Sequence, residues 1–193
     1  MPKLLLPLAG QPMIRWSASA CREATGSEPY LIVPLEGTAI GQAAGGSSRL
    51  VEQAEPLGTG HAVLQAAKSL NGQSDLVLVV NADMPLLSAD TLRSLVEAQS
   101  KSAGVVMLLT AISEQSRGFG RVIRDEAGSV VAIVEEAQAN SDQLELTELN
   151  VGAYCFDSKW LWKELANVKP SPKGEYYLTD VVGLAARGGE GIG

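Results

Sequence analysis

The sequence predicts an α/β fold: a mostly parallel mixed sheet with helices on both faces and a small β-hairpin subdomain. Three observations lead to this prediction. Residues 75–80 consist of Asp75 followed by a continuous apolar run, which is typical of a parallel strand covered on both faces. Strand-like and helix-like segments alternate as far as residue 109. A turn at residues 125–128 then separates two short strand-like runs, which is the pattern of a hairpin.

The predicted elements follow from apolar periodicity and from turn residues. The first half contains helix 12–23, strand 30–33, strand 48–53, helix 62–70, strand 75–80, helix 88–98 and strand 105–109. The second half contains strands 120–124, 130–135 and 148–156, followed by helices 158–166 and 175–186. Ser88 is a suitable N-cap for the helix that follows it.

Composition limits the class of protein. The chain has 193 residues, of which 46% are hydrophobic and 19% charged, as expected for one globular domain over residues 1–193. The net charge of −7 argues against binding to nucleic acid or to anionic membranes. The two cysteines lie far apart in the sequence, which argues against a disulfide framework. No apolar run is long enough to span a membrane, so we expect a cytoplasmic protein.

A glycine-rich turn lies between the predicted strand 48–53 and helix 62–70. Gly58 and Gly60 flank Thr59 in this turn. Glycines at such a junction let a ligand approach the backbone, and the start of a helix offers free N–H groups. A nucleobase or phosphate would suit the turn, although a simple strand-to-helix connection explains the glycines equally well.

Several polar residues stand at predicted strand ends. Asp83 follows the apolar strand 75–80, where it could hold Mg²⁺ against phosphates or simply cap a turn. Glu135 and Asn150 could bind sugar hydroxyls, or could be solvated ends of strands. His61 is the only histidine, which argues against a Ser-His-Asp triad and against a multi-histidine metal site.

Seven segments resemble, in order, the motifs of the sugar-1-phosphate nucleotidylyltransferase family. They are residues 3–13, 53–62, 81–86, 118–122, 133–135, 148–152 and 175–180. Within that family the set is most similar to the N-terminal domain of bacterial N-acetylglucosamine-1-phosphate uridylyltransferases. Each motif is modest alone, but seven in register over nearly the whole chain are not expected by chance.

The resemblance implies a Rossmann-like domain that makes UDP-N-acetylglucosamine, a cell-wall precursor, and pyrophosphate from UTP and N-acetylglucosamine-1-phosphate. It also implies Mg²⁺ as cofactor. Carried over by position, the catalytic residues are Lys3, which would hold phosphate oxygens, and Asp83, which would bind the metal. The residues implied in substrate binding are Gln53, Gly58 and Thr59 for the nucleotide, Gly120, Glu135 and Asn150 for the sugar, and Asn81.

The chain departs from the family pattern in five ways. We expect it to lack the family's first strand and the glycine-rich triphosphate loop that follows that strand. The second metal ligand and the C-terminal β-helix of bifunctional members are also expected to be missing. In addition, residues 81–82 replace an aromatic-glycine pair before Asp83. A missing central strand would leave backbone groups unpaired inside the sheet.

Two other functions fit parts of the sequence. A non-catalytic nucleotide-sugar-binding or scaffold domain of the same fold would keep the binding residues without the triphosphate loop. A molybdenum-cofactor guanylyltransferase-like enzyme shares the fold, but residues 53–62 and 175–180 argue against it. The oligomeric state stays open.

The retained and missing motifs together predict binding without efficient turnover. Because the residues implied in nucleotide and sugar binding are present, we expect the 193-residue chain to bind UDP-N-acetylglucosamine weakly. Little pyrophosphate should be released from UTP. Calorimetric titration and a pyrophosphate assay measure the two quantities, and rapid turnover would contradict the role given to the missing loop.

Overall fold

The structure is a computed structural model that describes residues 1–193. Its strands are β1 (Pro7–Leu8), β2 (Gln11–Pro12), β3 (Tyr30–Pro34), β4 (Arg49–Gln53), β5 (Leu76–Val80), β6 (Val106–Ile112), β7 (Arg121–Arg124), β8 (Val130–Val134) and β9 (Glu148–Asp157). Its α-helices are α1 (Met13–Thr25), α2 (Thr38–Ala44), α3 (Thr59–Gln65), α4 (Ala67–Leu70), α5 (Ala89–Lys101), α6 (Ser141–Leu144), α7 (Ser158–Leu165) and α8 (Thr179–Arg187).

Strand β9 organises a five-stranded sheet. Its C-terminal half pairs antiparallel with β5 on one edge and with β6 on the other. Its N-terminal half pairs with β6 and, at Leu149, with Arg121 of β7. Strand β8 completes the sheet by pairing with β7 as the predicted hairpin. Strand β9 has ten residues and is therefore long enough to pair with different strands along its two halves.

Alternate residues of β9 face opposite layers of helices. Tyr154 and Phe156 lie in a cluster of 17 buried residues that includes Leu161 of α7 and Val181 of α8. Cys155 lies in a different cluster, with Leu92 of α5. This period of two is the alternation expected for a strand buried on both faces. The predicted α/β architecture with helices on both faces is confirmed.

Parallel pairing is less extensive than expected. It is found between β3 and β4, which form a separate two-stranded sheet. All pairs in the five-stranded sheet are antiparallel. Strand β9 runs opposite to β5, β6 and β7, and β8 runs opposite to β7 in the hairpin. Strand β3 pairs only with β4, and β5 pairs only with β9, so each keeps one edge without a strand partner.

The helices show where local patterns succeed and fail. Ser88 caps α5 as predicted, since its Oγ accepts a hydrogen bond from the Thr91 amide at 3.1 Å. The segment predicted as helix 62–70 instead forms α3 and α4, which meet at Ala66. The last helix begins at Thr179 rather than at residue 175, because the preceding residues bond to the glycine-rich turn. None of the helices combines the length and the apolar character needed to cross a membrane.

The packing of the core predicts that replacing two phenylalanines by alanine reduces stability by very different amounts. Phe156 is fully buried in β9, whereas Phe119 is 37% exposed. We expect Phe156→Ala to reduce the free energy of unfolding by about 3–5 kcal/mol, since it leaves a cavity between β9 and the helix layer of α7 and α8. Phe119→Ala, the matched control, should cost far less. Urea denaturation measures both, and equal losses would contradict the packing described.

Candidate active site

The carboxyl end of β5 meets the middle of β9. The Asn81 amide donates to the Gly152 carbonyl at 2.9 Å. Gly152 has φ +79°, and a Cβ built there would lie 2.1 Å from the Asn81 Nδ2 atom. The Gly152 amide in turn donates to the Asn150 Oδ1 atom at 3.2 Å. A glycine is therefore required for the two asparagines to lie on either side of this kink.

Asn150 is held on its other sides by backbone and by a phenol. Its amide donates to the Gly120 carbonyl at 2.9 Å. Its Nδ2 donates to the Tyr154 hydroxyl oxygen at 2.6 Å. Burial raises the pKa of Tyr154 well above its usual range, so the phenol keeps its proton. The Asn150 side chain is thus fixed in one orientation.

Glu135 joins the same group of residues. Its Oε1 accepts a hydrogen bond from the Thr179 hydroxyl at 2.9 Å. Its Oε2 lies on the Gly120 side, since a Cβ built on Gly120 would be 3.6 Å from it. The structure therefore brings together Asn81, Gly120, Glu135 and Asn150, which we call the β9 cluster.

The glycine-rich turn forms a second group, Gln53, Gly58 and Thr59, which we call the loop cluster. Gln53 Nε2 donates to the Gly58 carbonyl at 3.1 Å and lies 2.9 Å from His61 Nδ1. Gly58 has φ +97°, and a Cβ built there would lie 2.6 Å from the Tyr176 carbonyl oxygen. The turn thus fits closely against the segment that precedes α8.

Residues 175–179 connect the two clusters. The Gly60 amide donates to the Tyr176 carbonyl at 2.8 Å, and the Leu178 amide donates to the Thr59 hydroxyl at 3.0 Å. Thr179 then reaches Glu135 in the β9 cluster. Two consequences follow. The Gly60 N–H at the start of α3 is already bonded and is not free for a ligand, and residues 175–179 form a wall that the two clusters share.

Lys3 and Asp83 form an exposed ion pair near Asn81. The Lys3 Nζ lies 2.8 Å from the Asp83 Oδ2, and the two side chains are 65% and 41% exposed. No three His, Cys, Asp or Glu side chains group closely enough to hold a metal ion. Asp83 is a single carboxylate, which fits a magnesium-like ion completed by phosphates and water rather than a protein cage.

Two supporting residues were not found from the sequence. Arg121 is 2% exposed; its guanidinium donates to the Ser116 hydroxyl at 3.0 Å and to the Phe119 carbonyl. It thereby fixes the loop that carries Gly120. The sequence pattern places Tyr154 only in a predicted strand. The signal that a buried phenol needs a hydrogen-bond partner could have connected it to Asn150.

The fit of the turn against residues 175–179 can be tested with two glycines. Gly58 and Gly72 both have positive φ, but a Cβ on Gly72 would meet nothing within 4 Å. Gly72→Ala should therefore cost only the left-handed strain of about 1–2 kcal/mol. We expect Gly58→Ala to cost at least about 1 kcal/mol more, because its conformation is close to glycine-only and its Cβ meets backbone. Equal losses in urea denaturation would contradict this fit.

Known proteins resemble this chain over nearly its whole length. The chain is 40% identical over 190 residues to Bifunctional protein GlmU of Heliobacterium modesticaldum, covering 97% of this chain and 42% of that protein. It is 37% identical to the GlmU of Enterococcus faecalis, covering 98% of this chain and 42% of the relative. The chain thus spans less than half the length of these relatives.

A solved structure shares the fold. It is UDP-glucose pyrophosphorylase complexed with UDP-glucose, with a TM-score of 0.70 and 17% sequence identity over 97% of this chain and 79% of that one. The model of the family described as the MobA-like NTP transferase domain matches residues 1–162, which contain both clusters. The chain belongs to the MobA-like NTP transferase domain family and is a nucleotidyltransferase domain.

Proposed function

We propose that this domain transfers a uridylyl group from UTP to N-acetylglucosamine-1-phosphate, forming UDP-N-acetylglucosamine and pyrophosphate. The observation that carries the proposal is the shared wall of residues 175–179 between the loop cluster and the β9 cluster. A nucleotide in one cluster and a sugar in the other would be joined by their phosphates. The GlmU relatives and the motif resemblance support UTP and the N-acetylated sugar.

The loop cluster suits the nucleotide. The Nε2 of Gln53 is committed to Gly58 and His61, which leaves its Oε1 to accept from the N3–H of uracil. The lack of a Gly58 side chain lets the turn lie directly against the Tyr176 backbone, which helps to fix the Gly58 carbonyl that holds Gln53. Thr59, which accepts from Leu178, keeps the turn in place when the base arrives.

The β9 cluster suits the sugar. Glu135 keeps Oε2 as an acceptor for sugar hydroxyls while Thr179 holds its other oxygen. Gly120 lets the backbone lie close to Glu135, since a Cβ there would be 3.6 Å from the Glu135 Oε2, and Asn150 is oriented by Tyr154. Acceptors that are held in fixed positions can orient a sugar for reaction.

The chemistry requires positioning and charge neutralisation. An oxygen of the sugar phosphate attacks the α-phosphorus of UTP, the bond from that phosphorus to the bridging oxygen breaks, and pyrophosphate leaves. Asp83 would hold Mg²⁺, which supplies positive charge to the phosphate oxygens when it is bound. Lys3 would exchange its bond to Asp83 for a phosphate oxygen. No nucleophilic side chain is needed, in keeping with the single histidine.

A non-catalytic nucleotide-sugar-binding domain is the second candidate. The 2.8 Å pair between Lys3 and Asp83 favours it, because it commits to each other the two residues that the reaction needs. The two functions differ in pyrophosphate release, whereas both include binding of the UDP-sugar. Binding and turnover therefore have to be measured separately.

The sugar site is tested by comparing two ligands. Glu135→Ala should weaken binding of UDP-N-acetylglucosamine by roughly 10-fold or more, the loss expected for a hydrogen bond to a charged group. Binding of UDP, which lacks the sugar, should change little. Glu126→Ala, in the exposed turn between β7 and β8, is the matched control. Equal loss for both ligands in calorimetry would exclude Glu135 from the sugar site.

The role of Asp83 is tested by metal dependence. Asp83→Asn keeps the shape of the side chain but removes its charge. We expect it to weaken Mg²⁺-dependent binding of UTP by about 10–100-fold. Asp90→Asn, whose native carboxylate pairs with Arg93 on α5, is the control. An unchanged Mg²⁺ dependence would show that Asp83 is only a turn residue.

A further inference from the structure

His61, the only histidine of the chain, lies between the side-chain amides of two glutamines. Its Nδ1 atom is 2.9 Å from the Gln53 Nε2 atom, and its Nε2 atom is 3.1 Å from the Gln65 Nε2 atom. The Tyr176 ring, in the wall of residues 175–179, lies beside the imidazole with 6.3 Å between the ring centroids. Through His61, the Gln53 amide of the loop cluster is thus linked to α3.

The Gly58 carbonyl fixes the orientation of the Gln53 amide. Its oxygen lies 3.1 Å from Gln53 Nε2. Because a carbonyl can only accept a hydrogen bond, the Gln53 atom that faces it must be the amide nitrogen. The same nitrogen faces His61, so one of its two hydrogens is directed to Nδ1. In this arrangement Nδ1 must be an acceptor, and the imidazole proton must be on Nε2.

Gln65 requires the opposite arrangement. Its Nε2 atom also donates to the His61 carbonyl at 3.0 Å, which places an amide nitrogen on the side of the imidazole here as well. The His61 Nε2 atom would then also have to accept. A neutral imidazole has one acceptor nitrogen and one donor nitrogen. It follows that His61 can complete the hydrogen bonds of only one of the two glutamines at a time.

The position of the imidazole proton decides what Gln53 offers to a base. With the proton on Nε2, Gln53 keeps both of its bonds and its Oε1 atom stays free to accept. With the proton on Nδ1, the Gln53 amide has to turn over so that Oε1 accepts from His61, and the bond to the Gly58 carbonyl is lost. Uracil has a donor at N3, whereas cytosine has an acceptor there. The first arrangement therefore suits uracil, and the second one suits cytosine.

We propose that His61 is a positioning residue that selects uracil over cytosine. Its Nδ1 atom accepts from Gln53 and so keeps the Gln53 Oε1 atom free for the N3–H of the base. Binding of uracil in turn favours the proton on Nε2, and Gln65 gives up its bond to the imidazole. The inference rests on the proposed function, in which the loop cluster holds the nucleotide, and adds the residue that sets the base preference.

The test compares the affinities of UDP and CDP in calorimetry at about pH 8, where histidine is ordinarily neutral. The wild type should prefer UDP. His61→Leu removes the acceptor, and we expect it to lower the ratio of UDP to CDP affinity roughly 10-fold, as for one hydrogen bond whose partner is left unpaired. Loss of folding or of packing would weaken both nucleotides alike and leave that ratio unchanged.

Two further variants separate the acceptor atom from the bulk of the side chain. His61→Asn can place an amide oxygen near the position of Nδ1, and it should keep most of the preference for UDP. Gln65→Leu, the matched control, removes the competing amide at the other side of the imidazole. It should not lower the preference for UDP.

The position of the proton can be measured directly by nitrogen NMR of the isotope-labelled chain. Because the chain has a single histidine, the spectrum contains one pair of imidazole nitrogen signals. In the UDP complex we expect a protonated Nε2 atom and an unprotonated Nδ1 atom.

The outcomes separate this inference from the proposed function. A wild type that does not prefer UDP to CDP would contradict the uridylyl proposal, and the role of His61 with it. A wild-type preference that survives in His61→Leu would overturn the role of His61 alone. A proton on Nδ1 in the UDP complex, or equal losses in His61→Asn and His61→Leu, would also overturn that role and leave the proposed function standing.

Discussion

The structure depends on the pairing of β9 with neighbours on both of its edges. One half of this strand is held by β5 and β6, the other by β6 and β7, and the kink at Gly152 lies between the halves. At that kink the bond from the Asn81 amide to the Gly152 carbonyl joins the end of β5 to the residues that carry Asn150. The β9 cluster exists because this backbone geometry brings separate strand ends together.

Residues 175–179 form the wall that connects the loop cluster with the β9 cluster. It bonds to the glycine-rich turn at Gly60 and Thr59 and to the β9 cluster at Glu135.

Much of the fold could be predicted from local patterns. The apolar run of β5, the hairpin turn and the Ser88 cap are local signals, and each element formed where it was expected. The late start of α8 could not be predicted, because the residues before Thr179 are bonded to a turn more than 110 positions earlier. Helix α2 was missed because its short sequence, with Gly41 inside, has little helical periodicity. The candidate site residues were predicted mainly from motif resemblance. Arg121 and Tyr154, which hold site residues in position, could not be predicted in this way because their roles depend on tertiary contacts.

Hydrogen-exchange mass spectrometry with and without saturating UDP-N-acetylglucosamine tests the central claim most directly, namely that the two clusters act as one site. The account predicts that peptides covering residues 53–60, 118–121, 148–152 and 175–179 become protected together. Helix α5, on the opposite side of β9, should change little and serves as the internal reference. Protection of only one cluster, or protection centred on residues 180–187 instead, would contradict the claim that nucleotide and sugar bind across the shared wall.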